Sequence, residues 1–245
     1  MPHSVHARSG STTPLSSQQG SLPLNLRYWN VNIPKTRWTE ECPDFLLGLS
    51  EKNIEILSAK DEDYHCLTWA ESKKIVDTNH PDHFQRSPIE LRRYLEFMYK
   101  LKQNYGSVLS FVQNERLRWD SISPSGQPPF VNPADFKVLY NDWPYGIDPD
   151  ITHLVVWTKF LLEDDPETGF LTDEYHDLIE SFVKRTFCGP GAVERDQLIW
   201  FKNWKSLKSV HALEHFHVML HKAPGDFLTK VTNGDKPLSQ TLNPV

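Results

Sequence analysis

His215-Phe216-His217-Val218-Met219-Leu220-His221 decides how the rest of the chain is read. In an extended backbone successive side chains point to opposite sides. His215, His217, Met219 and His221 therefore share one face, and Phe216, Val218 and Leu220 share the other. The second face is apolar and belongs against a core, whereas three imidazoles on the first are more than a core needs. A two-faced strand predicts a sheet, and the preceding segments supply its partners. Residues 136–140 and 153–159 are β-branched and aromatic, as strands require, and 198–202 reads as a further strand.

Between these strands, residues 172–187 carry Tyr175, Leu178, Ile179, Phe182 and Val183 at helical spacing behind a capping Thr172, and Gly189-Pro190-Gly191 stops the helix. The N-terminal half is helical in pattern, with short helices over 43–49, 51–59 and 68–78. Ser87-Pro88-Ile89-Glu90 combines an N-cap, proline at the first helical position and a capping-box glutamate, and Gly106 closes that helix. Leu91, Tyr94, Leu95, Met98 and Leu101 give it one buried face. Residues 108–112 read as helix or strand, 116–119 as extended, and the proline-rich 123–129 as a loop. Helices first and strands later predict an α+β protein whose helical N-terminal half packs on an antiparallel sheet. The expected division is a disordered or extended tail over 1–37, a single α+β domain over 38–222 and a loosely packed tail over 223–245.

Bulk properties narrow the function classes. The 245 residues are 38% hydrophobic and carry a net charge of -6 from interspersed acids and bases, so no basic stripe fits a phosphate backbone and nucleic acid is not expected as a partner. Cys42, Cys66 and Cys188 are widely spaced and form no paired motif, which fits a reducing compartment. No apolar run approaches the roughly 18 residues of a membrane span, and the first residues lack the apolar segment of a secretory signal. The expected location is cytoplasmic, with the nucleus as a second compartment, and no membrane partner is expected. Five of the eight tryptophans (Trp119, Trp143, Trp157, Trp200 and Trp204) fall in one stretch, implying a dense core or an aromatic-walled pocket formed by Trp143, Trp157 and Trp204.

Two chemistries compete for the histidine face. An HxH pair presents two nitrogens to a metal, with His153, His211 or Glu214 as third ligand. In phosphoryl or nucleotidyl chemistry, one histidine attacks or positions a phosphate, with Ser209, Lys205 and Lys208 upstream as donors. A structural reading stands beside both: the histidines simply hydrogen-bond on a half-exposed strand. In Asn141-Asp142-Trp143-Pro144-Tyr145-Gly146, Asp142 is a base or oxygen ligand on one reading and part of a tight turn on the other. Cys188 lacks a local histidine and is read as inert. No motif calls for a cofactor.

The blocks Tyr140 to Gly146, His153 to Lys159, Trp200 to Trp204 and Ser209-Val210 through Glu214 to Val218 resemble the fungal N-acetylglucosamine-induced protein family, a domain family of unknown function, over roughly residues 87–222. That resemblance implies an intracellular protein linked to the amino-sugar response. A more distant resemblance is to the histidine-triad superfamily of nucleotide hydrolases and transferases. In that superfamily a strand with His, Leu-Val and Lys lies beside a strand bearing His-x-His-x-His, with a helix between them. The resemblance implies a histidine-triad-like arrangement in which His217 is the nucleophile, His215 and His153 support it, and Ser209 or Asn203 holds phosphate. Met219 occupies the third triad position. The combined expectation is a site that binds a phosphorylated small molecule such as a nucleotide or nucleotide sugar and acts on it through His217, His215 and His153. Ser209, Lys208, Asn203, Trp143, Asp142 and Lys159 make up the substrate-binding set. The alternative is a non-catalytic module that uses a tryptophan-rich surface and predicts Trp143 and Trp204 exposed together.

Overall fold

The alternating segment at 214–221 is a strand in the computed structural model, which describes residues 23, 26–204, 210 and 212–241. Four strands, β1 (Phe136–Tyr140), β2 (Ile151–Thr158), β3 (Leu198–Phe201) and β4 (Glu214–His221), form one antiparallel sheet in the order β1-β2-β4-β3. β4 is thus central, paired on both sides. The register sets Met219 opposite His153, His217 opposite Val155 and His215 opposite Trp157. His153 and His217 are consequently diagonal neighbours on one face, a separation that long side chains bridge.

Among the described residues seven α-helices flank the sheet: α1 (Glu51–Ser58), α2 (Trp69–Asp77), α3 (Pro88–Tyr105), α4 (Val108–Phe111), α5 (Asp173–Phe187), α6 (Gly225–Val231) and α7 (Leu238–Thr241). Their starts follow from capping chemistry. The Ser50, Thr68, Ser87 and Thr172 hydroxyls accept the backbone N–H groups of Asn53, Glu71, Glu90 and Tyr175, satisfying donors that a helix start leaves open. Gly106, at φ 72, ends α3 in the conformation that glycine adopts without penalty. No helix among the described residues is long and apolar enough to cross a membrane.

The sheet is the middle of three layers. Phe216, Val218 and Leu220 of β4 pack with Leu154 and Val156 against Ile179, Phe182, Val183 and Phe187 of α5. On the opposite face Met219, Ile151, Ile199 and Phe201 meet Ile75 of α2 and Phe84, while Leu139 meets Leu101 of α3 and Phe111 of α4. The histidine face therefore lies under the N-terminal helices rather than half-exposed.

Several local expectations change. Residues 43–49 form only a 3-10 turn at Asp44–Leu46. Residues 112–117 make a π-helical turn instead of leading into an extended segment, and Arg118 follows at φ 54. Arg116 on that turn reaches Asp142 and Asp235, 26 and 119 residues away, a pull that no local pattern reveals. Within the stretch read as an N-terminal tail, Tyr28 and Trp29 are buried against Leu46, Leu57 and Leu91. Within the stretch read as a C-terminal tail, Leu228 joins the α5 core, and Asp235 pairs with Arg116 and accepts the Tyr140 N–H.

Candidate functional site

β4 and β2 bring His215, His217 and His153 onto one face, each at most 5% exposed. An amide nitrogen only donates, so Asn203 Nδ2, 3.0 Å from His217 Nε2, makes that nitrogen an acceptor. The neutral His217 ring then carries its proton on Nδ1 and donates to His153 Nε2 at 2.9 Å. Asn141 Nδ2 lies 3.2 Å from the same His153 nitrogen. His215 Nδ1 donates to the Leu213 carbonyl at 3.0 Å, which leaves the lone pair of its neutral form on Nε2. Each ring is also stacked: Tyr145 on His153, Phe201 on His217 and Trp157 on His215, with centroids 5.1, 5.0 and 4.5 Å apart.

Such an environment opposes charge. Burial, helped by the Arg86 guanidinium, pulls His153 down to about 3. Burial likewise holds His217 well below its ordinary value, assisted by His153, His215 and Arg86. Both imidazoles are neutral at physiological pH and serve as hydrogen-bonding groups there.

A cavity of about 160 Å³ opens beside this cluster, with Arg86, Trp143, Trp157, Asn203, His215 and His217 in its walls. Its two arginines differ. Arg116 is neutralised, its Nε 2.8 Å from Asp142 and its Nη1 2.9 Å from Asp235. Arg86 donates Nε–H to the Trp143 carbonyl at 3.0 Å and lies over the Tyr94 ring at 4.0 Å, and among the described residues no carboxylate pairs with it. Asp142 also accepts the Leu238 N–H, and burial pushes its carboxyl up to about 6 against the pull of Arg116. Two polar atoms in the cavity walls, Trp143 Nε1 and Asn203 Oδ1, are buried without a hydrogen-bond partner among the described residues.

Of the residues singled out from sequence, His215, His217, Asn203, Trp143 and Asp142 line this cavity. His153 sits behind His217 and acts on it through the shared hydrogen bond. Lys159 is elsewhere, its ammonium 5.1 Å above the Trp119 ring. Ser209 and Lys208, with Lys205 and His211, lie outside the described residues. Trp204 lines a separate groove of about 780 Å³ along β3, so Trp143 and Trp157 wall the cavity without it. The exposed tryptophan surface is overturned at Trp143, which is only 6% exposed because Tyr94 and Phe97 of α3 cover it. Among the described residues no three ligand atoms converge around His153, His215 and His217, and the direct contact of two of them is a hydrogen bond, not a metal bridge. Burial pushes the Cys188 thiol up, away from a reactive thiolate.

Sequence reading missed Arg86, Tyr145 and Phe201 as parts of the site. Arg86 immediately precedes the Ser87 cap of α3 and carries no pattern of its own. Gly146 did leave a signal: a Cβ there would collide with the Tyr64 ring, and its N–H donates to the Gln85 carbonyl at 2.7 Å. The glycine thus lets the Trp143 to Gly146 turn dock against the segment that carries Arg86.

Residues 68–221 match the family described as "Protein of unknown function (DUF3605)". The chain is similar to "N-acetylglucosamine-induced protein 1" of Candida albicans, 30% identical over 196 residues that span 72% of this chain and 77% of that protein. It is also similar to "Uncharacterized protein YPL067C" of Saccharomyces cerevisiae, 22% identical over 170 residues, 68% of this chain and 84% of that one. Among solved structures, "Crystal Structure of HTC1" superposes with a TM-score of 0.53 at 20% identity, covering 68% of this chain and 94% of its own, a likeness of fold alone. The chain belongs to the DUF3605 family and is related to the fungal N-acetylglucosamine-induced protein.

Proposed function

We propose that this chain serves the response to N-acetylglucosamine, as the name of its Candida albicans relative suggests, by holding a small phosphorylated molecule in the cavity on the histidine face. The carrying observation is Arg86, a cavity guanidinium with no carboxylate partner among the described residues, where the neighbouring Arg116 has two. An anion supplies the missing charge, and a phosphoryl group matches the planar fork of an arginine. Trp143 Nε1–H offers a further donor, and Asn203 Oδ1 suits a ligand hydroxyl. About 160 Å³ is below the roughly 300–1,000 Å³ of sites that enclose a whole drug-sized ligand. The cavity then admits one ring or phosphoryl end, and a nucleotide or nucleotide sugar would keep the remainder outside.

Binding without covalent chemistry is the form we favour. Attack on phosphorus needs a nitrogen lone pair. On His217 Nε2 that pair receives the Asn203 N–H, and on Nδ1 there is a proton held by His153. His153 and Asn203 are thus positioning residues, and the neutral rings orient a ligand without adding charge.

Titration calorimetry with inorganic phosphate, N-acetylglucosamine 6-phosphate, UDP-N-acetylglucosamine and free N-acetylglucosamine tests this. Phosphorylated ligands should bind and the free sugar much less. Arg86→Gln should weaken them by roughly 10- to 100-fold, the equivalent of one charge-assisted hydrogen bond. Trp143→Phe, which keeps a ring in place, should weaken them less. No binding by any probe, or an unchanged affinity in a folded Arg86→Gln protein, would sink the reading. Turnover in phosphorus NMR that His217→Ala abolishes would overturn the non-covalent part.

A further inference from the structure

Away from the cavity, the segment His80-Pro81-Asp82-His83 joins α2 to the strand-covering residue Phe84 through a 3-10 turn at Pro81–His83. Pro81 is buried and fixes the backbone of the turn, while the Asp82 carbonyl accepts Lys52 Nζ at 2.7 Å. The turn therefore has a defined shape even though its histidine side chains reach solvent. The two imidazoles lie nearly parallel, 13° between planes and 5.1 Å between centroids, and each has a ring nitrogen near the Asp82 carboxylate.

His80 Nδ1 is 3.8 Å from Asp82 Oδ1, and His83 Nε2 is 3.9 Å from Asp82 Oδ2. Both separations are too long for hydrogen bonds, which end near 3.2 Å for N–H···O. Asp82 Oδ1 is nonetheless buried and has no hydrogen-bond partner among the described residues. A buried carboxylate oxygen in that state is a vacant acceptor. All three ligand atoms lie within 4.8 Å of one another. A metal with bonds of about 2.0–2.2 Å to nitrogen and oxygen holds tetrahedral ligands about 3.3–3.6 Å apart, so the two histidine–aspartate separations of 3.8 and 3.9 Å need to close by only a few tenths of an ångström.

We propose that His80, Asp82 and His83 form a site for a divalent transition-metal ion of zinc type. Two imidazoles and one carboxylate are the donor set that zinc accepts, and three protein ligands leave a fourth position for water or an exogenous group, as in open zinc sites. The ion would satisfy the orphaned Asp82 oxygen and clamp the turn next to Trp204, whose ring meets His80 edge-on at 6.5 Å. Trp204 and Asn79, which flank His80 in space and in sequence, line the groove along β3. This site is independent of the phosphate reading, shares no residue with it, and stands or falls separately.

The test is calorimetric titration of the full-length, tag-free protein with zinc chloride in a non-coordinating buffer, beside the His80→Ala/His83→Ala double variant. The side chains are exposed, and circular dichroism checks that the variant is folded. One zinc per chain is expected. The double variant should bind it more weakly by more than the roughly 100-fold that loss of an outer-shell partner costs. Asp82→Asn, which keeps the side-chain shape, should weaken binding by a smaller factor. No zinc binding by the native protein would overturn the proposal, and so would binding of equal strength in the double variant, which would assign the metal to other histidines.

Discussion

The two faces of β4 are both buried over residues 215–220 and built for different purposes. Phe216, Val218 and Leu220 are fully buried against α5, with Phe216 meeting Phe130, Phe182 and Trp200 edge-on. One residue along in each case, His215 and His217 are 4% and 5% exposed, yet their neighbours are amides, aromatic planes and a cavity. Burial alone does not separate a core from a site. The separation lies in the polar groups that remain to be satisfied: among the described residues the apolar face has none, whereas the histidine face has an arginine without a counter-ion, an indole N–H and a carboxamide oxygen without hydrogen-bond partners.

The contrast should break first at Phe216. Phe216→Ala opens a void in the close-packed aromatic layer and should cost about 3–5 kcal/mol, read from urea denaturation. A loss under about 1 kcal/mol would mean that this face is not where stability resides. On the other face His217→Leu keeps bulk but strands the Asn203 amide and the His153 ring, at a cost of about 1–3 kcal/mol. Adding His153→Leu removes both members of the pair, so the double variant should lose less than the sum of the singles. Additivity to within about 0.5 kcal/mol would deny the hydrogen bond any energetic coupling.

The mildest probe is pH. His153 and His217 have folded values below the ordinary 6.5, so below that pH the unfolded chain binds protons that the folded chain refuses. The stability they contribute is present above 6.5 and is lost as pH falls, by up to about 1.4 kcal/mol per pH unit for each ring that stays neutral. Asp142 acts in the opposite sense, because its folded value near 6 lies above the ordinary 3.8, and stability is gained as pH falls between those two values. The unopposed loss is therefore expected between about 6.5 and 6, and the His153→Leu/His217→Leu protein should show a flatter profile in denaturation midpoints. An identical profile would exclude the two rings as its source.

Much of the scaffold was legible because its causes are local. Ser87, Pro88 and Gly106 mark the ends of α3 by backbone chemistry confined to a few residues, and alternation at 214–221 assigned each β4 side chain to its face. The turn at 112–117 was not legible, since Arg116 answers to Asp142 and Asp235 across the fold. Tyr28 and Leu228 fall in stretches whose composition reads as tails, because a buried position in a polar neighbourhood has no local signature.

The candidate site divides along the same line. The sequence by itself determined that three imidazoles lie on one side of the sheet, that the chain is α+β, and that Asn203, Trp143 and Asp142 deserve notice. Only the tertiary structure decided that the N-terminal helices cover this face, that Asn203 and His153 engage His217 from both sides, and that Arg86 faces the cavity without a counter-ion. Periodicity is a property of neighbouring residues and survives in the sequence. Protonation, partner choice and cavity shape depend on groups that meet from distant parts of the chain, and they exist only once it has folded.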